Sequence, residues 1–263
     1  MLCYYPLFLS SLFNIFMLEE KKAIQKPFRF KQFTVEQDRC AMKVGTDGVL
    51  LGAWANLVQA DTILDVGTGT GVIAIMAAQR TAYQTQVDGV EIDESAYLQA
   101  KENMAKSPFA DRLTVIHKSI QDFEPISGRK YDVIISNPPF FTGGTFSGNQ
   151  EKNNVRHTVK LPHGDLLHAT QRLLNKNGRF CLILPWLEGL RFVEIARNYR
   201  FYCTLMTEVR PKPGKNIERL LLQFEWQEKK LVKNELILML ENGQRNDYTP
   251  EYIQLTSEFY TIF

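Results

Sequence analysis

From Thr62 onward the chain alternates short apolar runs with amphipathic stretches, and this alternation restricts it to few architectures. TILDVG, QVDGVEID, LTVIHKS, YDVIISNPP and RFCLILP read as buried strands. VIAIMAAQR reads as a helix, as does SAYLQAKENMAKS with a Ser cap, and HGDLLHATQRLLNKNG reads as a helix closed by Asn177-Gly178. Strands alternating with helices at this spacing predict an α/β fold with a mostly parallel sheet covered on both faces. After Glu188 the pattern changes. Glu188 to Tyr199 is helical, and YCTLMTEVR and ERLLLQFEW follow as strands joined by PKPGKNI. Two strands without an intervening helix pair antiparallel or belong to different sheets. LILMLENG is the candidate last strand, and TPEYIQLTSEFY a last helix with Thr249 capping Pro250. No repeat or Gly/Pro/Ser-rich linker interrupts residues 27–263, which are expected to form one domain.

Composition narrows the function classes. Hydrophobic residues make up 44% and charged residues 23% of 263, which excludes a disordered, collagen-like or multi-span membrane chain. A net charge of +2 excludes a uniformly basic coat, so a nucleic-acid partner must be met by a local patch. Cys3, Cys40, Cys181 and Cys203 form no CxxC pair and read as thiols of a reducing cytoplasm. His117, His157, His163 and His168 show no metal-protease spacing, so no metal is expected. Met1 to Leu18 is almost wholly apolar but has no basic residue before Lys21 and no small-residue cleavage site, unlike a signal peptide. It is marginal for a membrane span, which takes about 20 apolar residues. Residues 1–26 are therefore expected to be a disordered extension or an over-extended gene start with Met17 as initiator, and no membrane partner is expected.

Two motifs carry chemistry. DVGTGTG (Asp65–Gly71) lies between the first of these strands and its helix, where glycines let the backbone turn sharply and approach a ligand. Its GxGxG spacing departs from the GxGxxG dinucleotide fingerprint, and the Asp65 carboxylate would repel a pyrophosphate while suiting a cationic amine. Glu91 ends the second strand and can accept ribose hydroxyls. A nucleoside with a cationic tail and no phosphate is described by these two sites, and S-adenosylmethionine is such a molecule. The fourth strand then ends in Asn137-Pro138-Pro139-Phe140. Prolines lack N–H donors, so the chain leaves the sheet there, at the carboxyl edge where open α/β sheets bind ligands. The stiff exit holds Asn137 at a fixed angle. Its side-chain oxygen and the Pro138 carbonyl can accept the two hydrogens of an aromatic amine, and Phe140 can stack on the base.

These motifs resemble the class I S-adenosylmethionine-dependent methyltransferases, NPPF resembling the signature of the amino-methylating branch. Phe28 to Ala55, the RTAYQTQVDGVEID and NMAKSPFADRLTV stretches and the tail DYTPEYIQLTSEFY resemble the bacterial tRNA1(Val) (adenine(37)-N6)-methyltransferase family. The resemblance implies a Rossmann-like, seven-stranded, mostly parallel sheet with an antiparallel last strand. It implies that Asp65, Gly67, Thr68 and Gly69 cradle the methionine part of S-adenosylmethionine, that Glu91 holds its ribose, and that Ser119-Ile120 packs its adenine, with Asn137 touching donor and amine. Ser119 stands where the family often has an acid; Asp122 lies just after it. Lys43, Thr46 and Asp47 fall in the segment that would close over the donor; alternatively, Asp47-Gly48 only caps the next helix.

tRNA is the implied partner and a monomer the expected state. Basic residues gather at Lys21–Lys43, including Lys31, Arg39 and Lys43, and again at Arg210, Lys212, Lys215 and Arg219. With Phe28, Phe30 and Phe33 interleaved in the first cluster, both suit phosphate contact and base stacking. Arg156 follows a Gly-rich stretch, Thr142–Asn149, that reads as a mobile loop. The rivals are an enzyme methylating an rRNA guanine amine or a release-factor glutamine, and a non-catalytic RNA-binding module on this fold.

Overall fold

Runs of Val, Ile and Leu whose side chains alternate between two faces build the central sheet. The computed structural model describes residues 26–125, 128–139, 161–241 and 247–263. The N-terminal extension therefore lies outside the described residues except for Lys26, as does the expected mobile loop. In chain order the elements are a small hairpin, β1 (Phe28–Arg29) and β2 (Thr34–Val35), then α1 (Thr46–Trp54), β3 (Thr62–Val66), α2 (Val72–Arg80), β4 (Gln86–Glu91) and α3 (Glu94–Lys106). They continue with β5 (Leu113–His117), β6 (Tyr131–Ser136), α4 (His163–Leu173), β7 (Leu174–Pro185) and α5 (Trp186–Asn198). The last are β8 (Tyr202–Arg210), β9 (Arg219–Glu225), β10 (Val232–Ile237) and α6 (Pro250–Thr256).

The main sheet runs β10-β8-β9-β7-β6-β3-β4-β5, and β9 alone is antiparallel to its neighbours β7 and β8. The expected seven strands are thus present, with an eighth added: β10 pairs parallel with β8, from Val232 opposite Leu205 to Ile237 opposite Arg210. It starts four residues before the expected LILMLENG (Leu236–Gly243) and shares only Leu236 and Ile237 with it. The reason is exposure: β10 is a polar edge strand with Leu236 its one buried residue, so it lacks the apolar alternation that marks a core strand.

Both faces are covered. Ile63, Val133, Ile135, Cys181 and Ile183 join a core with residues of α1, α2, α3 and α6. Their neighbours Leu64, Ile134, Phe180, Leu182 and Leu184 point the other way, into a core with α4 and α5. At about 25 cal/mol per Å² of apolar surface, these two layers supply the main drive for folding.

Three local expectations are corrected. The α3 cap is Asp93, whose carboxylate accepts from the Ala96 N–H at 2.8 Å, rather than Ser95; Glu94 then enters the first turn, where the helix dipole favours an acid. Helix α4 stops at Leu173, four residues short of Asn177-Gly178, because β7 starts at once. Leu174 pairs with Tyr131 and Arg179 with Val133, so Asn175–Gly178 bulge out of the ladder. Asn175 is tied there by its Nδ2 donating to Asp132 at 2.6 Å and by Trp226 Nε1 donating to its carbonyl at 2.8 Å. Thr249 caps α6 as expected, accepting from Tyr252 N–H at 3.2 Å.

The third correction concerns the phenylalanines. Phe30 and Phe33 are buried and stack at 4.5 Å, Phe28 packs on Phe30 at 4.8 Å, and Tyr260 stands 6.1 to 6.2 Å from Phe28 and Phe30. Lys31 N–H donates to Phe259 O at 2.8 Å, binding the hairpin to the chain's end. These rings are core, and the two buried ones are closed to a nucleic-acid base. Phe30→Ala should lower stability by roughly 3–5 kcal/mol, read as a fall in denaturant midpoint, and folded Phe30→Ala protein should bind tRNA as the wild type does.

Candidate active site

Parallel pairing of β3 with β6 brings the two motifs together. Val66 is opposite Ser136, and the Ser136 hydroxyl donates to Val66 O at 3.0 Å. One residue further, β3 opens into the glycine loop and β6 into Asn137-Pro138. The loop holds Gly67, Gly69 and Gly71 at φ of 70°, 54° and 82°, a left-handed region where a side chain is strained. Gly67 N–H and Thr68 N–H donate to Val90 O at 2.9 and 3.1 Å, holding the loop against the end of β4.

Asp65 is fully buried beneath this loop. Its Oδ2 accepts from the Thr68 hydroxyl at 2.6 Å, and its Oδ1 has no hydrogen-bond partner. Burial pushes its carboxyl up to about 7 from the ordinary 3.8, with Glu91 adding to the rise and the Thr68 hydroxyl and Ala74 N–H opposing it. A buried carboxylate with an orphaned oxygen calls for a cation. Glu91, at the end of β4, is buried too: Oε2 accepts from Gly69 N–H at 2.9 Å, and Oε1 from Ile92 and Asp93 N–H at 2.9 Å each. Three of about four acceptor positions are filled, leaving Oε2 room for one donor such as a hydroxyl.

Ser119 and Ile120 follow β5. Ile120 is buried in the α4/α5-side core, and Ser119 Oγ donates at 2.7 Å to Asp122, an exposed acid of the local turn. Arg172 of α4 holds this turn by donating to Phe123 O at 2.8 Å, Gln121 O at 3.0 Å and Ile120 O at 3.2 Å. Nothing local in the sequence marks Arg172 for this. Gln99 and Asn103 were missed as well. Spaced i, i+4 on α3, they stitch the upstream segment to the site: Asn103 accepts from Glu36 N–H at 2.9 Å and donates to Thr70 O at 2.8 Å, and Gln99 accepts from Arg39 N–H at 3.1 Å. Two buried amides on one face of an otherwise charged helix are the available signal.

Asn137 is half-buried and, among the described residues, has no hydrogen-bond partner; Pro138 is buried and Pro139 exposed. The first turn of α1 lies beside it, since a Cβ on Gly48 would stand 3.9 Å from Asn137 Nδ2 and 3.8 Å from Val72 Cγ1. Gly45 is the α1 N-cap, and Asp47 instead pairs with Arg219 at 2.8 Å, which removes the capping alternative. Thr46 and Lys43 are exposed, and Lys43 Nζ donates to Gln37 O at 2.6 Å and Cys40 O at 2.7 Å. Phe140 and Arg156 lie outside the described residues.

The basic clusters are partly engaged. Lys31 Nζ donates to Ser257 O at 2.7 Å, Arg39 pairs with Glu102 at 3.0 Å, and Arg210 pairs with Glu235 at 2.6 Å while donating to Lys215 O at 2.5 Å. Lys212 and Lys215 sit on the hairpin between β8 and β9, at the same sheet edge as Asn137. The buried Cys40 and Cys181 and the half-buried Cys203 are free thiols, each pushed up to about 12 chiefly by burial.

A mostly parallel sheet with a glycine loop over a buried acid, next to a second buried carboxylate at a strand end, is the arrangement expected of a class I methyltransferase. The sequence model of the Methyltransferase small domain matches residues 44–186. A crystal structure described as a predicted O-methyltransferase from Agrobacterium tumefaciens superposes with a TM-score of 0.61 at 19% identity, covering 81% of this chain and 96% of that one. A tRNA1(Val) (adenine(37)-N6)-methyltransferase of Histophilus somni (strain 2336) is 43% identical over 92% of this chain and 100% of its own length. One of Yersinia pseudotuberculosis serotype O:3 (strain YPIII) is 40% identical over 89% of this chain and 91% of its own. The chain belongs to the tRNA1(Val) (adenine(37)-N6)-methyltransferase family.

Because the folded pKa of Asp65 is raised, its protonated form confers stability that is complete below about pH 4 and is lost as the pH rises to about 7. In the absence of donor, Asp65→Asn should therefore melt higher than wild type at pH 8, by more than it does at pH 5, in thermal scans across that range.

Proposed function

We propose that this chain transfers a methyl group from S-adenosylmethionine to the exocyclic N6 of adenine-37 in tRNA1(Val). The observation that carries this reading is the Asn137-Pro138 corner, whose carboxamide has no hydrogen-bond partner among the described residues, opening one residue past the same Val66–Ser136 pair from which the glycine loop springs. The relatives bearing that name are matched over nearly their whole length. The match includes the upstream segment that a lone methyltransferase core would lack, which favours this substrate over an rRNA guanine or a protein glutamine.

The residues fit such a donor. The orphaned Asp65 Oδ1 suits the amine of the methionine part, the left-handed glycines leave its bed clear of side chains, and Glu91 Oε2 can take a ribose hydroxyl. Ser119 and Ile120, fixed by Arg172, would flank the adenine. When bound, S-adenosylmethionine supplies an electrophilic methyl carbon on a sulfonium.

The exocyclic nitrogen of adenine is a poor nucleophile because its lone pair is delocalised into the ring. Asn137 Oδ1 and the Pro138 carbonyl would accept its two hydrogens and draw it towards tetrahedral geometry, which frees the lone pair for in-line attack. The nitrogen gains a methyl group and then loses one proton, which is acidic enough to leave to solvent without a strong base. Holding both reactants in line does most of the work, and a stiff diproline exit is suited to it. Among the described residues no helix is long and apolar enough to span a bilayer, and the apolar Met1–Leu18 stretch lies outside them.

Methyl transfer from labelled donor to total tRNA, followed by nucleoside mass analysis, tests the reading. N6-methyladenosine at one position of tRNA1(Val) is expected, and label in rRNA or protein alone would refute it. Asn137→Ala should keep donor affinity within a few-fold and lose roughly 100-fold or more in kcat. Donor affinity should strengthen as the pH rises from 6 to 8, since Asp65 must be ionised to hold an amine and its carboxyl titrates at about 7; titration calorimetry should find this dependence absent in Asp65→Asn.

A further inference from the structure

Arg219 reads in sequence as one of four cations in the β8–β9 hairpin cluster. The structure turns it inward. Its Nε donates to Asp47 Oδ2 at 2.8 Å, and both side chains are about three-quarters buried, at 27% and 24% exposed. Arg219 is the first residue of β9, level with Pro185 at the end of β7, so it stands at the carboxyl edge two strands from β6. Asp47 lies in the first turn of α1, whose N-cap Gly45 offers no side chain to anchor that turn. The next residue, Gly48, is the point where α1 meets both the start of α2 and the Asn137 carboxamide. The ion pair therefore joins the start of β9 to the helix turn whose next residue, Gly48, lies against Asn137.

We propose that Arg219 and Asp47 are a positioning pair, which sets the approach of the first turn of α1 to Asn137 and thereby the angle at which the carboxamide meets the amine. The inference rests on the methyltransferase reading above. A partly buried pair resists salt and competing water better than an exposed one, and an arginine fork gives directional hold that an ammonium does not. A displacement of about 1 Å at a reacting group is enough to lose roughly 100-fold in rate.

The test compares wild type with Asp47→Asn, Arg219→Gln, Arg219→Lys and the double variant Asp47→Asn/Arg219→Gln, assayed with tRNA at saturating donor and well below each melting temperature. Each neutral single variant should lose roughly 10- to 100-fold in kcat while its donor affinity by calorimetry stays within about threefold. The double variant should be no worse than either single one, as expected of two groups acting through one contact, and Arg219→Lys should fall between. Independently of turnover, amide hydrogen exchange should quicken in Arg219→Gln at Val49, Leu50 and Leu51, the first amides of α1 bonded within the helix, with β3 and β6 unchanged. Wild-type kcat in either neutral single variant, additive losses in the double, or unchanged exchange in α1 would overturn the pair. A wild-type enzyme that methylates no tRNA would instead overturn the function itself, so the two failures are separable.

Discussion

The pairing of Val66 with Ser136 is the contact on which this site depends. Parallel strands end at the same edge, and adjacent ones end about 5 Å apart. Here one of them must stop because glycines allow the backbone to turn, and the other because Pro138 and Pro139 have no N–H to continue the ladder. The glycine loop and the Asn137-Pro138 corner are thus set side by side by the backbone alone, before any side chain is chosen. The Ser136 hydroxyl on Val66 O then locks the register, since a slip of one residue would turn Asp65 and Asn137 to the wrong faces.

What could be read from the chain follows this division between local and distant causes. The seven core strands, the glycine loop, Glu91, the diproline exit and the Thr249 cap rest on the residues that form them, and all were legible. Features decided elsewhere were not. The end of α4 is set by Asp132 and Trp226, which seize Asn175 and pull Asn175–Gly178 into a strand bulge. Phe30 and Phe33 read as exposed aromatics among cations, until Tyr260 and Phe259, more than 200 residues away, cover them. Arg172 and Arg219 carried no signal, because an arginine that caps backbone carbonyls and one that faces solvent look alike in sequence.

The site is held together at a cost to the fold. Burying Asp65 with one unpartnered oxygen opposes folding at neutral pH, and three backbone N–H groups must be turned towards Glu91 to keep its carboxylate in place. The unpartnered Asp65 oxygen does nothing for the fold, whereas the Glu91 bonds also hold the glycine loop. Both make sense as a polarity prepared for a ligand that is cationic at one end and rich in hydroxyls at the other. A stabilised variant that relieved either strain would do so by discarding the preparation, which is the usual tension between stability and activity.

Removing Arg219 from the surface also changes what can be said of RNA recognition. With Arg219 held by Asp47, Arg210 by Glu235, Arg39 by Glu102 and the Lys31 and Lys43 ammonium groups bonded to backbone carbonyls, much of the apparent basic surface is already in use. Phosphate attraction scales with the number of cations that release counterions, so these paired or bonded groups add less to it than their number in the sequence suggests. On the function proposed above, selection of one adenine would rest on fit at the carboxyl edge, where the β8–β9 hairpin and Asn137 both stand. On that same proposal the diproline corner would serve specificity as well as rate, because a base that did not present its amine at the angle of the Asn137 carboxamide would gain nothing from being bound.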